Sequence, residues 1–325
     1  MNIRKLAFLS LGLLVAGFST NSYAERYTGS FNIGKEAEQS QKVELDQGET
    51  VVQTVSSLDN EMIGHIDWEN NIVYAVGDGV PPAKAVNPAQ ARVRAKRAAI
   101  DEAYARLLEA LKEVRVDAES TTRNFVNENR TVRTRVSGLV KNAEIVEMRQ
   151  HDDGSYQIKM RMPITGPNGI AAVLLPQQLV NIQKSKVIST TVREEAAPAT
   201  TQSKPAAAKQ AKSSNFTGVI IDATGLNASP ATFPRILSQS GKVLYDLTKV
   251  DPNQATNKMC EYRKSVKQAK KLKRIGGKPL IIKAAKTNGD SRVDIVLSDQ
   301  HAEELLGADA GNNFLYNAKV AIVLD

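Results

Sequence analysis

The chain has 325 residues, a net charge of +8, 42% hydrophobic and 5% aromatic residues, which is room for two domains with aliphatic cores. Its single cysteine, Cys260, excludes an intramolecular disulfide and a thiolate metal cluster. The three histidines, His65, His151 and His301, lie far apart and none forms a His-x-x-x-His pair.

Residues 1–24 read as a cleaved secretory signal. Arg4 and Lys5 form a positive n-region, Leu6 to Phe18 an apolar run too short to span a bilayer, and Ser22-Tyr23-Ala24 a small-x-small cleavage site before Glu25. Phe18 stands where a lipoprotein signal needs its acylated cysteine, so the mature chain is expected to be unanchored, without a transmembrane helix, and periplasmic. Export makes nucleic acid a poor partner, and the positive charge favours anionic lipid headgroups or acidic protein faces.

Residues 25–60 are polar and read as an arm with one strand over residues 49–55. His65 to Val76 has strand character, with Asn70-Asn71 as a turn or bulge. Gly77-Asp78-Gly79-Val80-Pro81-Pro82 is expected to break the strand, the glycines permitting positive φ and the prolines refusing a ladder. Asn87-Pro88 opens a long helix, Asn as cap and Pro at the first helical position. That helix should run to about Val114, with Val93, Ile100, Ala103, Tyr104, Leu107, Leu108 and Leu111 as its apolar stripe. Val132 to Val140 and Ala143 to Met148 read as strand, and His151-Asp152-Asp153-Gly154 as a turn. Tyr156, Ile158, Met160 and Met162 alternate with polar residues, the period-two mark of a half-buried antiparallel strand. Gly166 to Val180 reads as one short closing helix. The order predicts an α+β module over residues 61–185, a strand-helix-strand-strand unit with one long helix on an antiparallel sheet.

Residues 186–214, rich in Ala, Pro, Lys and Thr, read as a linker between two domains able to move relative to each other. Residues 215–325 read as an α/β domain with a mixed sheet. Gly218 to Asp222 is a buried strand, Lys242 to Tyr245 another, and Ala318 to Leu324 the last. Tyr262, Val266, Ala269 and Leu272 trace a stripe on a helix of about four turns, stopped by Gly276-Gly277. Pro279 to Ala284 and Arg292 to Leu297 read as neighbouring strands joined through Asn288-Gly289-Asp290, followed by a helix capped at Ser298.

Phosphate-loop, nucleophile-elbow and His-Glu-x-x-His motifs are missing from the sequence, so neither an enzyme nor a cofactor is expected. Asp152-Asp153 and Asp299 fit turn chemistry and helix N-terminal charge. Asp222, Thr224 and Gly225, just past a buried strand, form a candidate ligand site, with a turn-forming Asp222 as the simpler reading. The densest charge cluster is Arg263, Lys264, Lys267, Lys270, Lys271, Lys273 and Arg274. On a helix it would be a partner-binding basic face for an acidic protein or an anionic membrane, or simply the solvated side of a packed helix.

Two stretches carry a resemblance. Gly77-Asp78-Gly79-Val80-Pro81-Pro82, Asn87-Pro88-Ala89-Gln90-Ala91-Arg92, Ala95 to Tyr104, Val114-Arg115-Val116, Gly138-Leu139-Val140 and the hairpin through Asp153 to Tyr156 resemble the Lpp-twenty lipoprotein family of bacterial envelope proteins. Thr217 to Leu226, Pro234 to Leu237 and Pro279 to Ala284 look like the C-terminal half of longer secreted members. The resemblance implies a periplasmic or outer-membrane-associated, non-enzymatic protein, with some relatives assembling flagellar or other outer-membrane structures. Membrane tethering does not carry over, because Phe18 replaces the cysteine. The sequence reading is therefore a periplasmic scaffold or assembly factor that binds envelope proteins, with oligomerisation open. The alternative is a small-ligand or glycan-binding protein with a pocket near Asp222 to Leu226.

Overall fold

The computed structural model describes residues 50–56, 62–194 and 215–325. The leader, its Ala24/Glu25 cleavage site, most of the arm and residues 195–214 of the linker lie outside the described residues. The described residues belong to one compact unit. The chain is α+β, with an antiparallel sheet carrying a long helix in its first half and a mixed sheet in its second. Among the described residues, no helix is long and apolar enough to cross a membrane.

The first half is a five-stranded sheet in the order β1-β2-β3-β5-β4, antiparallel throughout. Its strands are β1 (Val52–Ser56), β2 (Met62–Asp67), β3 (Ile72–Gly79), β4 (Glu144–Gln150) and β5 (Tyr156–Pro163). Asn71, at φ 56, makes the β2–β3 turn. Asp153 anchors the β4–β5 turn by accepting from the Ser155 amide at 2.9 Å and hydroxyl at 2.6 Å, and these bonds hold its carboxyl below the usual range.

Helix α1 (Pro88–Lys112) lies across one face of this sheet. Its Asn87 cap accepts from the Gln90 amide at 2.8 Å, with Pro88 in the first turn. Of the expected stripe, Ala103, Leu107 and Leu111 are buried and Ile100, Tyr104 and Leu108 pack at the edge of the core, but the buried face also takes in Ala95, Ala99 and Ala110. Val93 stays 64% exposed. The reason lies in the strand below. Gly77 and Gly79 do not break β3; they belong to it, and neither has positive φ. A Cβ on Gly77 would stand 2.2 Å from the Ala103 nitrogen, and one on Gly79 would stand 2.1 Å from the Ala95 oxygen. Glycines on the strand and alanines on the helix let the two backbones meet, and this contact sets the helix's rotation.

Residues 122–140 form two helices, α2 (Thr122–Glu128) and α3 (Arg130–Val140), the second where a strand over Val132 to Val140 was expected. Asn129 caps α3, its side chain accepting from the Thr131 and Val132 amides at 2.9 and 3.2 Å. Val132, Val136 and Val140 fall one turn apart and are all buried. Four-residue spacing plus a cap outweighs the small helix penalty of β-branched residues. Helix α4 (Ile170–Glu194) runs well past both the expected end at Val180 and the expected linker boundary at residue 186.

The second half holds two four-stranded sheets. The parallel one has the order β10-β6-β13-β9, built from β6 (Gly218–Asp222), β9 (Glu261–Arg263), β10 (Pro279–Lys283) and β13 (Val320–Val323). The mixed one has the order β11-β12-β7-β8, built from β7 (Ile236–Ser238), β8 (Val243–Tyr245), β11 (Lys286–Asn288) and β12 (Asp294–Leu297). The expected β10–β12 neighbourhood is therefore not formed. The hairpin over Gly289 joins β11 to β12, and β10 pairs with β6 in the other sheet. Short helices α5 (Pro252–Asn257) and α6 (Val266–Ala269), then α7 (Asp299–Asp309), complete the half. Ser298 caps α7 by accepting from the His301 amide at 3.2 Å, as its position predicts.

The expected freedom between the halves is not what the structure has. Buried apolar residues from Val51 to Leu324 make one continuous core. Across the junction, the Thr232 and Phe233 amides donate to the Arg115 and Val116 carbonyls at 2.9 and 2.8 Å, and the Gly166 amide donates to Thr256 at 2.9 Å. Trp68 meets Tyr262 edge-on, with centroids 6.1 Å apart. The Arg263 guanidinium lies 3.0 Å from the Glu69 carboxylate. Backbone bonds and shared burial on this scale hold the halves as one body.

Candidate functional site

The basic stretch 263–274 is not a four-turn helix. Tyr262 explains why. Its side chain is 2% exposed, and its hydroxyl donates to the Ala231 carbonyl at 2.9 Å and accepts from the Ala231 amide at 3.0 Å. That anchors residues 261–263 as a strand beside β13, where the residue spacing had suggested the start of a helix. Ser265 then caps the single turn of α6, accepting from the Gln268 amide at 3.3 Å. Three 3₁₀-like bonds follow, and Gly276, at φ 80, turns the chain against Thr217.

The predicted cations separate into two groups. Arg263 is held by Glu69 and Glu261 in the junction, and Arg274 donates to Gln254 at 3.2 Å; both are structural. Lys264 is half-buried, while Lys267, Lys270, Lys271 and Lys273 are exposed. Lys278 and Lys283 join them. On β10, Leu280 and Ile282 are buried while Ile281 and Lys283 are exposed. Ile281 pairs with Ile220, which belongs to the small core beneath α6, so Ile281 and Lys283 stand on the α6 side of the sheet. The period-two pattern of β10 was the available signal for Lys283. Beneath this lysine lobe, Val266 and Leu272 turn inward onto Ile220, Ala269, Ile275, Ala321 and Val323. No acidic residue occurs in the sequence between Glu261 and Asp290, so the lobe is strongly positive, with Asp222 of β6 beside Lys283 at its edge.

The strand end at Asp222 is filled by the chain itself. Asp222 accepts from the Thr224 amide at 3.1 Å and hydroxyl at 2.7 Å, a side-chain turn. The Asp325 carboxylate takes the Gly225 and Asn227 amides at 2.6 and 2.7 Å. Backbone donors that a ligand would need are thereby occupied. Asp299 accepts from the Ser240 amide and hydroxyl at 3.0 and 2.8 Å, which keeps its carboxyl below the usual range and ties α7 to the β7–β8 turn. Cys260 is buried, and burial pushes its thiol up to about 12 despite the hydrogen bond with Tyr262, so it stays protonated and unreactive. Among the described residues, no group of three or more His, Cys, Asp and Glu side chains is placed to hold a metal ion.

One histidine has a consequence for pH. Thr54, His65, Tyr74, Arg161 and Glu144 form a register row across β1, β2, β3, β5 and β4. His65 stacks on Tyr74 at 4.6 Å, and the Lys159 ammonium lies 4.9 Å from the Tyr74 ring centroid. Burial first, then the Lys159 charge, lowers the His65 pKa from 6.5 to about 4, against the pull of Asp67. As pH falls below 6.5 the unfolded chain takes up a proton that the folded chain refuses until about pH 4. Stability is therefore whole above 6.5 and lost on acidification through that window, by about 3 kcal/mol. Glu69, whose carboxyl is raised by burial, works in the opposite direction, so the comparison needs His65→Gln. Urea midpoints at pH 7 and pH 4.5 should fall less in that variant than in the parent. An equal fall in both would remove His65 from the account.

No curated protein matches the chain. Residues 218–325, the half that carries the lysine lobe, match the family described as Treponema pallidum Tp0624, second domain.

Proposed function

We propose that the protein is a periplasmic, non-enzymatic scaffold or assembly factor of the cell envelope, one that grips acidic faces of other envelope proteins through its lysine lobe. The observation that carries this reading is the run of exposed Lys267, Lys270, Lys271, Lys273, Lys278 and Lys283 on a rigid sheet-backed platform, with no acid between Glu261 and Asp290. Lysines on a fixed surface attract an acidic partner over about a Debye length and give it a defined place to dock. The leader at residues 1–24 supports the periplasmic location, and the resemblance to envelope lipoproteins supports a part in a flagellar or other outer-membrane structure. The ligand-binding alternative gains nothing from the geometry, since Asp325 fills the strand end that it requires.

The test is cross-linked capture from envelope fractions with the parent and with Lys267→Glu/Lys270→Glu/Lys271→Glu. Recovery of specific partners is expected to fall roughly tenfold in the variant. Identical partner sets would take the lobe out of the function. Finding the uncleaved product in the cytosol would overturn the whole reading.

A further inference from the structure

A second positive surface lies at the other half of the molecule. From Val80 to Ile100 the sequence has five cations, Lys84, Arg92, Arg94, Lys96 and Arg97, and no acid. Lys84 and all three arginines are exposed. Three valines stand among them in water: Val80 is 73% exposed, Val86 86% and Val93 64%. On α1, Val93 sits at the middle of the exposed arc, with Arg92 and Lys96 to one side and Arg94 and Arg97 to the other, at 100° per residue. Val93, Lys96, Arg97, Ile100 and Asp101 line a shallow open groove of about 340 Å³ there. The first turn of α1 holds no acid, so the positive end of the helix dipole adds to the same field. Acids at the margin are Asp101 and the Asp152-Asp153 turn, whose Gly154 lies beside Pro81. Asp78, two residues before Val80, is paired with Arg106 at 3.5 Å, and the five cations outnumber the three remaining acids.

The two basic surfaces differ in one decisive respect. The lysine lobe turns Val266 and Leu272 into its small core and leaves Ile281 43% exposed, whereas the α1 patch leaves three valines, each at least 64% exposed, in solvent next to arginines. Exposed apolar side chains ringed by cations match a bilayer interface, where the cations meet lipid phosphates and the apolar groups enter the acyl boundary. A purely acidic, polar surface would satisfy the cations without burying the valines, whereas a bilayer interface takes up both. We propose that the Val80–Ile100 surface binds anionic phospholipid headgroups, docking the protein peripherally on a membrane. This goes beyond the scaffold reading and stands or falls separately from it, because it uses the opposite half of the chain.

The experiment is flotation of the chain from Glu25 onward, which removes the apolar leader, with vesicles of phosphatidylcholine alone or with a quarter phosphatidylglycerol. Binding to the anionic vesicles should be roughly tenfold or more above that to neutral ones and should weaken with salt. Arg92→Glu/Arg94→Glu/Arg97→Glu should abolish the difference. Val86→Ser/Val93→Ser, which keeps every charge, should weaken binding several-fold and leave its salt dependence in place. Lys267→Glu/Lys270→Glu/Lys271→Glu should bind as the parent does. All of these side chains are exposed, and unchanged melting curves confirm that the variants fold. The proposal is overturned if the parent ignores anionic vesicles, if it prefers polyglutamate beads to them, or if the lysine variant loses binding while the arginine variant keeps it.

Discussion

Replacing Gly77 with alanine is expected to destabilise the protein by about 3 kcal/mol, as overpacking against rigid backbone does. The added Cβ would fall 2.2 Å from the Ala103 nitrogen and 2.3 Å from the Ala99 oxygen. Both atoms belong to a helix backbone that cannot rotate out of the way as a side chain can. Relief requires lifting α1 off β3, and that would loosen Leu107 and Leu111, each fully buried beneath the helix. Gly79→Ala should behave alike, through Ala95. Gly138 supplies the control. It lies in α3, and a Cβ there would meet nothing within 4 Å. Gly138→Ala should therefore be neutral or stabilise by up to about 1 kcal/mol, through helix propensity alone. Urea denaturation of the three variants tests the set. A Gly77→Ala protein as stable as the Gly138→Ala protein would mean that the helix–strand contact is looser than described.

Trp68→Ala should cost about 4 kcal/mol, in the range for emptying a large buried aromatic site. The indole is 1% exposed, donates to Gln53 at 3.3 Å and meets Tyr262 of the other half edge-on. Its removal opens a cavity at the junction, so the loss should appear in both halves together. In the parent, fluorescence from this sole tryptophan and reactivity of the Cys260 thiol report the first and second halves respectively. The two should change at the same urea concentration, and in Trp68→Ala circular dichroism and Cys260 labelling should shift together. Two separated transitions would show that the halves fold as independent domains after all.

These two predictions concern the places where local reading and structure part. The Asn87-Pro88 cap, the Asp153-Gly154 turn, the alternation of β5 and the buried run of β6 were legible because their signals are short-ranged. A cap needs its amide three residues on, a turn its own four residues, and a period-two strand only its neighbours in sequence. The candidate site was half legible. The lysines of the lobe were identified as a cluster, but Arg263 and Arg274 proved to be structural and Lys278 and Lys283 were not included. What misled was Tyr262. Four apolar residues at helical spacing describe a helix only until one of them finds a better partner, and Ala231 is 31 residues away in the chain. The same holds for Asp222, whose turn is local but whose strand end is closed by Asp325.

By itself, the sequence determined composition-level facts and local geometry: one thiol and so no internal disulfide, a long capped helix, a linker-like tract, and a dense cluster of positive charge over residues 263–274. Only the tertiary structure decided how these features are presented. It made Val132 to Val140 a helix, because valines one turn apart could all reach the core. It made Gly77 and Gly79 a contact surface in place of a strand break, because α1 crosses directly above them. It tied the two halves into one body through Arg115, Val116 and Trp68. The physical reason is common to all three. Backbone pairing and burial are settled by groups distant in the chain, and their combined free energy exceeds the few tenths of a kcal/mol by which any residue prefers one local conformation over another.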